Sequence, residues 1–249
     1  MSEKTVIFKI KRQDNPTSRP YYNTFKITLE ETANINIVLM TIRENPVTIE
    51  GMKVPPVSWE FSCMEEVCGA CTLLINKKPR QGCSTLLKDL PPVTTLEPLT
   101  KFPVIRDLIV DRSKMFDALK KVKAWVNIEG TYSMGAGLNI PPKIQEEAYI
   151  YSRCMTCGCC LEVCPQYNEK SRFMGAAAIG QVHLMNLHPV GKNHAGERLE
   201  MLLEEGGIGE CGNAQNCVKV CPKEIPLTSA IAKVNAQVNK YLLSKILKS

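Results

Sequence analysis

Long apolar runs are missing from this chain. No stretch approaches the ~18 apolar residues of a membrane-spanning helix, and the opening MSEKTVIFKIKRQD holds no apolar signal-peptide core. Neither a span nor a secretory leader is expected. One-sided charge is missing too. The net charge is +6, and residues 1–115 (16 basic, 13 acidic) and 116–249 (15 and 12) each contribute +3. No basic tail or block points to nucleic acid, although the small excess suits a place near an anionic membrane surface. No Ser/His/Asp constellation or acid pair calls for a hydrolase. His183, His188 and His194 stand in no ligand pattern and read as surface or core histidines. Gly207-Ile208-Gly209-Glu210-Cys211-Gly212 matches G-x-G-x-x-G as text, but it follows a helical segment and contains a cysteine, which excludes a dinucleotide loop.

Cysteine, in contrast, is abundant, at 12 in 249 residues. The chain is too long for a small disulfide scaffold, so reduced, metal-ligating thiols in a cytosolic setting are the expectation. The cysteines fall into three groups. Cys63-x4-Cys68-x2-Cys71-x11-Cys83 has the plant-type [2Fe–2S] spacing. Cys154-x2-Cys157-x2-Cys160-x3-Cys164-Pro165 is the bacterial ferredoxin run. Cys211-x5-Cys217-x3-Cys221-Pro222 is the same run without its second cysteine. The second and third groups align without gaps as an internal repeat, with Ala214 where the repeat demands a thiolate.

In two-cluster ferredoxins the fourth cysteine of each run ligates the other cluster. That crossing assigns Cys154, Cys157, Cys160 and Cys221 to a [4Fe–4S] cluster, and Cys164, Cys211 and Cys217 to the other. A methyl group cannot bind iron, so the cluster beside Ala214 is expected to be [3Fe–4S]. With fewer thiolates, it should be the easier of the two to reduce. Cys159 is left over and reads as a packed, inert thiol. Thiolate is a soft ligand suited to iron–sulfur clusters. Zinc is the structural alternative for paired C-x2-C motifs, but the three groups, the Cys-Pro endings and the ferredoxin spacings together favour iron and sulfide. Gly69, Gly158 and Gly212 each adjoin a ligand, where a missing Cβ lets backbone approach closely.

Alternation at Val6, Phe8, Ile10 and at Phe25, Ile27, Leu29 predicts strands over 5–12 and 22–29. Thr32 to Asn45 reads as a short helix with Ile37, Met40 and Ile42 on its apolar side, and Cys71 to Ile75 as a strand entering a turn at Asn76–Pro79. This order resembles the β-grasp fold of plant-type ferredoxins. The expected architecture is α+β: a β-grasp [2Fe–2S] domain over 1–99, a connecting segment over 100–143 that turns helical after Asp111, and an α-helical two-cluster domain over 144–249. Residues 127–143 are rich in Gly and Pro and read as loop. Ala195–Glu205 reads as a helix stopped at Gly206-Gly207. Leu227–Lys248 reads as a helix striped by Ile231, Val234, Val238, Tyr241 and Leu242, a face for packing on the cluster core or for docking a membrane partner.

The order of the three cysteine groups resembles the iron–sulfur subunits of succinate dehydrogenase and fumarate reductase. The resemblance also runs through Phe102–Asp111, Lys120–Trp125, Cys154–Cys160 and Asn216–Pro222, covers almost the whole chain, and is nearest to the Gram-positive, menaquinone-linked succinate dehydrogenases. It implies a flavoprotein subunit that oxidises succinate at a covalent FAD, and a membrane-anchor cytochrome b subunit with haem. Electrons would then pass through [2Fe–2S], [4Fe–4S] and [3Fe–4S] to quinone. The implied position is peripheral, at the cytoplasmic face of the cell membrane, with no dicarboxylate site on this chain. The β-grasp domain should face the flavoprotein and the helical domain the anchor.

The resemblance has one departure. Ubiquinone-reducing members place a Trp five positions after the equivalent of Cys164 and a His after the equivalent of Cys211. Glu169 and Gly212 occupy those positions here, so quinone reduction is expected elsewhere in the anchor. His183 remains a candidate quinone neighbour. The alternatives are a fumarate reductase subunit running the reverse reaction and a free-standing ferredoxin-type carrier. The chain's length argues against the second.

Overall fold

The computed structural model describes residues 2–127 and 140–247. Its strands are β1 (Glu3–Arg12), β2 (Tyr21–Glu30), β3 (Thr72–Ile75), β4 (Lys78–Gln81), β5 (Val93–Glu97), β6 (Val104–Arg106) and β7 (Ile109–Val110). Its α-helices are α1 (Ile35–Glu44), α2 (Ser113–Lys121), α3 (Pro142–Ser152), α4 (Cys159–Glu162), α5 (Gly175–Leu187), α6 (Ala195–Leu203), α7 (Asn216–Lys219) and α8 (Leu227–Ile246). They form two units, Met1–Arg112 with Met155–Glu162, and Ser113–Cys154 with Val163–Ser249.

The first unit is built on a five-stranded sheet in the order β2-β1-β5-β3-β4. β1 pairs antiparallel with β2 and parallel with β5. Its alternation buries Val6, Phe8 and Ile10 completely, while Lys9 faces water. β3 and β4 form a hairpin over Asn76 and Lys77, both at positive φ (50° and 64°), as a two-residue primed turn requires. Asn34 caps α1, its Oδ1 accepting from Ile37 N at 3.0 Å. The helix buries Ile35, Val38, Leu39 and Ile42 against the sheet core. That stripe starts at Ile35, so it is rotated from the Ile37–Met40–Ile42 side expected above, and Ile37 lies on the exposed face.

The segment after Phe102 departs from the expected plain connection. It forms the small β6–β7 hairpin, turned at Asp107 (φ 48°), before α2 begins. Its strands of three and two residues are too short to show a period. Asp107 anchors it to β1 through an ion pair with Arg12, Nε to Oδ1 2.9 Å, with both side chains fully buried.

The second unit is helical. α5 runs through its centre and packs on α8, α3, α2 and α6. Ala176, Ala177 and Ala178 are buried on α5, and a Cβ on Gly180 would meet Leu227 at 3.1 Å, so small residues permit the close approach of α8. Phe173, Ile179, Val182, Leu199, Leu202, Val234 and Val238 share the core, with Cys164 and Cys211 packed at its edge. α6 stops where Gly206 adopts φ 85°. On α8 the expected stripe divides: Val234 and Val238 are buried, whereas Leu242 is exposed, as are Leu243, Ile246 and Leu247 beyond it. The Gly/Pro-rich reading of 127–143 falls mostly outside the described residues, and α3 begins already at Pro142.

Candidate functional site

The first cysteine group sits on a loop whose backbone turns its donors inward. Met64 (φ 60°), Glu66 (φ 55°) and Gly69 (φ 70°) are left-handed. Cys63 Sγ accepts the backbone N–H groups of Glu65, Val67 and Cys68 at 3.4, 3.3 and 3.3 Å. Those three donors pull the Cys63 thiol down to about 6. Cys68 Sγ accepts from Ala70 N at 3.5 Å. Cys71 and Cys83 form the buried end, held together where Gly82 N donates to Cys71 O at 2.9 Å. Burial, then a thiol–thiol hydrogen bond with Cys71, pushes Cys83 up to about 12, and the charge of Cys63 also acts on it. All four thiols therefore belong to one interacting group.

Sequence gave no sign of what braces this loop. Arg112 donates to Gly69 O at 3.0 Å and Ala70 O at 2.7 Å, and pairs with Glu60 at 2.8 Å. Thr72 Oγ1 donates to Gly69 O at 2.8 Å and accepts from Gln81 Nε2 at 3.0 Å. Gly69 is required twice over. Its φ is positive, and a Cβ would lie 2.6 Å from Met155 O and 2.9 Å from Cys157 Cα.

Those contacts explain why Met155–Glu162 groups with the first unit, carrying Cys157, Cys159 and Cys160. Cys154 and Cys221 belong to the second unit. Thr156 (φ 49°) and Gly158 (φ 89°) flank Cys157 in left-handed conformations. The Cys159 thiol donates to Cys157 and lowers it to about 7, while Cys159 itself is raised by that same bond and by burial. Cys159, 1% exposed, also accepts from Gln81 Nε2 at 3.5 Å. Glu162 is buried, yet its carboxylate accepts four hydrogen bonds at 2.5–3.1 Å, from Thr100 N twice, Thr100 Oγ1 and Lys101 N. They fasten α4 to the segment after β5. In the second unit, Cys221 Sγ accepts from Ile225 N at 3.4 Å.

Cys164, Cys211 and Cys217 line one cavity, and Ala214 lines it with them. Phe173, Ala176 and Ile231 supply an apolar wall, and about 400 Å³ of atom-free space, part of it open to solvent, lies inside. Burial raises the Cys217 thiol, and the charges of Cys164 and Cys211 raise it further. Asn213 (φ 51°) and Gln215 (φ 60°) are left-handed, so this loop too is turned inside out. Gly212 lines the cavity; Glu169 is exposed and does not. Among the described residues, no three His, Cys, Asp or Glu side chains converge as tightly as a single metal ion demands. A pocket lined by three cysteines and Ala214 that lacks a tight single-ion geometry fits a cluster, in which iron and sulfide hold the ligand sulfurs apart.

His183 stands apart from the cysteines. It is 2% exposed, its Nε2 lies 2.6 Å from Glu147 Oε1, and its ring meets Tyr151 edge-on at 4.7 Å between centroids. Lys233 donates to the same Glu147 oxygen at 2.6 Å. Burial lowers the His183 pKa, outweighing the opposing pull of Glu147.

Residues 7–117 match the model of a 2Fe-2S iron-sulfur cluster binding domain, and residues 150–225 that of a 4Fe-4S dicluster domain. A chain with the two in this order is an iron–sulfur electron-transfer protein. It is 53% identical over 240 residues to the succinate dehydrogenase iron-sulfur subunit of Bacillus subtilis, covering 96% of this chain and 95% of that one. It is 31% identical to the fumarate reductase iron-sulfur subunit of Wolinella succinogenes, over 91% and 92% of the two chains. The chain belongs to the family of succinate dehydrogenase and fumarate reductase iron–sulfur subunits. Its fold is also that of a chain in the Mycobacterium smegmatis Sdh1 complex in the apo form, with TM-score 0.79 at 20% identity over 96% of this chain and 97% of that one. It is thus the electron-transfer subunit of an oxidoreductase, and no helix among the described residues is long and apolar enough to cross a membrane.

Proposed function

We propose that this chain is the electron conductor of a succinate:menaquinone oxidoreductase, with Cys63, Cys68, Cys71 and Cys83 holding [2Fe–2S], Cys154, Cys157, Cys160 and Cys221 holding [4Fe–4S], and Cys164, Cys211 and Cys217 holding [3Fe–4S]. When bound, these clusters supply one-electron redox centres between the FAD of a flavoprotein partner and the haem and menaquinone of a membrane anchor. The observation that carries the reading is the cavity shared by Cys164, Cys211, Cys217 and Ala214. Two cysteines from one end of the third run and one from the end of the second meet there, as the crossed pattern of two-cluster ferredoxins requires. The fourth corner is a methyl group.

The protein's own work is to hold thiolates and to aim dipoles. Backbone N–H groups on Cys63 Sγ stabilise negative charge at the exposed end of the first site. Burial of Cys71 and Cys83 excludes water from the other end. Higher identity to a succinate dehydrogenase subunit than to the fumarate reductase subunit favours succinate oxidation as the direction. Gly212 offers no side-chain donor to a quinone, and Glu169 is outside the cavity, which favours menaquinone bound within the anchor and a peripheral position at the cytoplasmic face of the membrane.

Purification of the intact complex from membranes tests this. A flavoprotein and a haem-bearing anchor should co-purify, with about nine iron atoms per chain and, by EPR, an oxidised [3Fe–4S] signal joined by a [2Fe–2S] signal on dithionite reduction. An iron content near four, or stoichiometric zinc, would overturn the assignment.

A further inference from the structure

Gly212 directly follows Cys211, and its backbone does not need a glycine, because its φ is outside the left-handed region. What the position needs is the space. A Cβ there would lie 2.7 Å from Nε2 of Gln166 and 3.5 Å from its Cδ. The Gln166 carboxamide therefore lies over Gly212, amide nitrogen foremost, where a side chain at 212 would otherwise stand. Gln166 is two residues beyond Cys164, and both residues line the cavity of the three thiols.

The backbone that presents it is fixed. Ser171 Oγ donates to Gln166 O at 2.6 Å, and Asn168 Oδ1 accepts from Lys170 N and Ser171 N at 3.0 Å each. The carboxamide itself makes no hydrogen bond to another described residue. Asn216, which shares the cavity, is by contrast committed to Val163 O at 3.2 Å. Gln166 is exposed as well as lining the cavity, so its uncommitted amide has two acceptors within reach, water and the sulfur-rich ligand site beside it.

We propose that Gln166 is a positioning residue that tunes the trinuclear site: its side-chain N–H donates to the sulfur of the group held by Cys164, Cys211 and Cys217, and so raises that group's reduction potential. This rests on the three-thiolate reading above. Reduction adds one electron, breaks no bond and leaves the amide proton on nitrogen. Hydrogen bonds strengthen as their acceptor gains negative charge, so the donor favours the reduced state, and hydrogen bonds to cluster sulfur are a recognised control of potential. Glycine at 212 is then the condition that lets the amide in.

The test is an EPR-monitored redox titration of the [3Fe–4S] signal in the assembled membrane complex, with Gln166→Leu and, separately, Gly212→Ala. The second variant leaves the amide in the protein but pushes its flexible end aside. Both should shift the reduction equilibrium about tenfold towards the oxidised cluster, ~59 mV for a one-electron couple, with the [2Fe–2S] midpoint unmoved. If Gln166→Leu fails to assemble, Gly212→Ala alone decides. Unchanged midpoints at full signal overturn the inference and leave the cluster assignment standing. Loss of the cluster in both variants overturns it too, by making Gln166 a structural plug. Absence of any [3Fe–4S] signal in the wild-type complex fells the three-thiolate reading first and this inference with it.

Discussion

Replacing Asp107 by Asn keeps the shape of a buried node and removes its negative charge. The carboxylate accepts from Arg12 Nε at 2.9 Å, Arg12 Nη2 at 3.2 Å, Gln13 N at 3.1 Å and Ser58 N at 2.9 Å. An amide has one oxygen, so its NH2 group must face two of these donors. Arg12 keeps Asn23 Oδ1 and the carbonyls of Pro55 and Pro56 but loses its only carboxylate among the described residues. Both side chains are 0% exposed, so water cannot step in. Breaking a buried pair while leaving one charge behind costs about 3–5 kcal/mol, which in a unit of this size lowers the melting midpoint by roughly 10–20 °C. Pro55, Pro56 and Ser58 precede Cys63 in the chain, so the loop that carries Cys63 should loosen with them. Thermal bleaching of the [2Fe–2S] spectrum in the purified complex is the assay. The double variant Arg12→Met/Asp107→Leu should recover most of the loss, because neither charge remains. A midpoint within about 2 °C of wild type for Asp107→Asn, or a double variant as unstable as the single, would refute the reasoning.

Two further outcomes follow from the second unit. In Ala214→Cys a thiol enters the cavity of Cys164, Cys211 and Cys217; the oxidised [3Fe–4S] signal should shrink, the potential of that site should fall and quinone reduction should slow, and an unchanged EPR spectrum in fully iron-loaded protein would show the corner misplaced. His183 is held neutral by burial, its pKa lowered from 6.5. The unfolded chain therefore binds the extra proton first, so stability is fully present above about pH 6.5 and declines as pH falls below it. Glu147, lowered chiefly by Lys233, adds a loss in the same direction below its usual 4.5. Melting temperature between pH 7.5 and 5.5 should slope less in His183→Gln than in wild type, and parallel curves would count against the buried-neutral histidine.

Patterns of one period or one motif were legible in the sequence. The alternation of β1 and β2 set two strands, and the gapless repeat singled out Ala214, which lines the cavity of the three thiols; the turn expected at Asn76–Pro79 is real but shorter, because Lys78 and Pro79 already belong to β4. Features that depend on partners distant in sequence were not. Arg12 continues the inward face of Val6, Phe8 and Ile10, but its partner Asp107 is 95 positions away, and nothing local reveals a carboxylate there to receive it. Arg112 reads as an ordinary basic residue until its guanidinium is seen against Gly69 and Ala70. The rotation of α1 was missed because Ile35, Ile37, Met40 and Ile42 are all apolar, and only the sheet beneath the helix chooses among them.

The cysteine loops share a cost that spacing alone does not reveal. Among the described residues ten non-glycines have positive φ, and six of them, Met64, Glu66, Thr156, Asn213, Gln215 and Glu224, lie within three positions of a cysteine in the three groups. Each such conformation costs of order 1–2 kcal/mol in an L-residue. Concentrated here, the strain has a physical use: a left-handed residue reverses the local direction of the backbone amides, and at Cys63 three N–H groups then converge on one sulfur. Donors gathered in this way repel one another unless negative charge lies among them. The loop at Cys63 is thus shaped for a negatively charged sulfur rather than for a neutral thiol. On the cluster assignment proposed above, binding would be coupled to folding, and the donors that converge on Cys63 Sγ would favour the added negative charge of a reduced cluster.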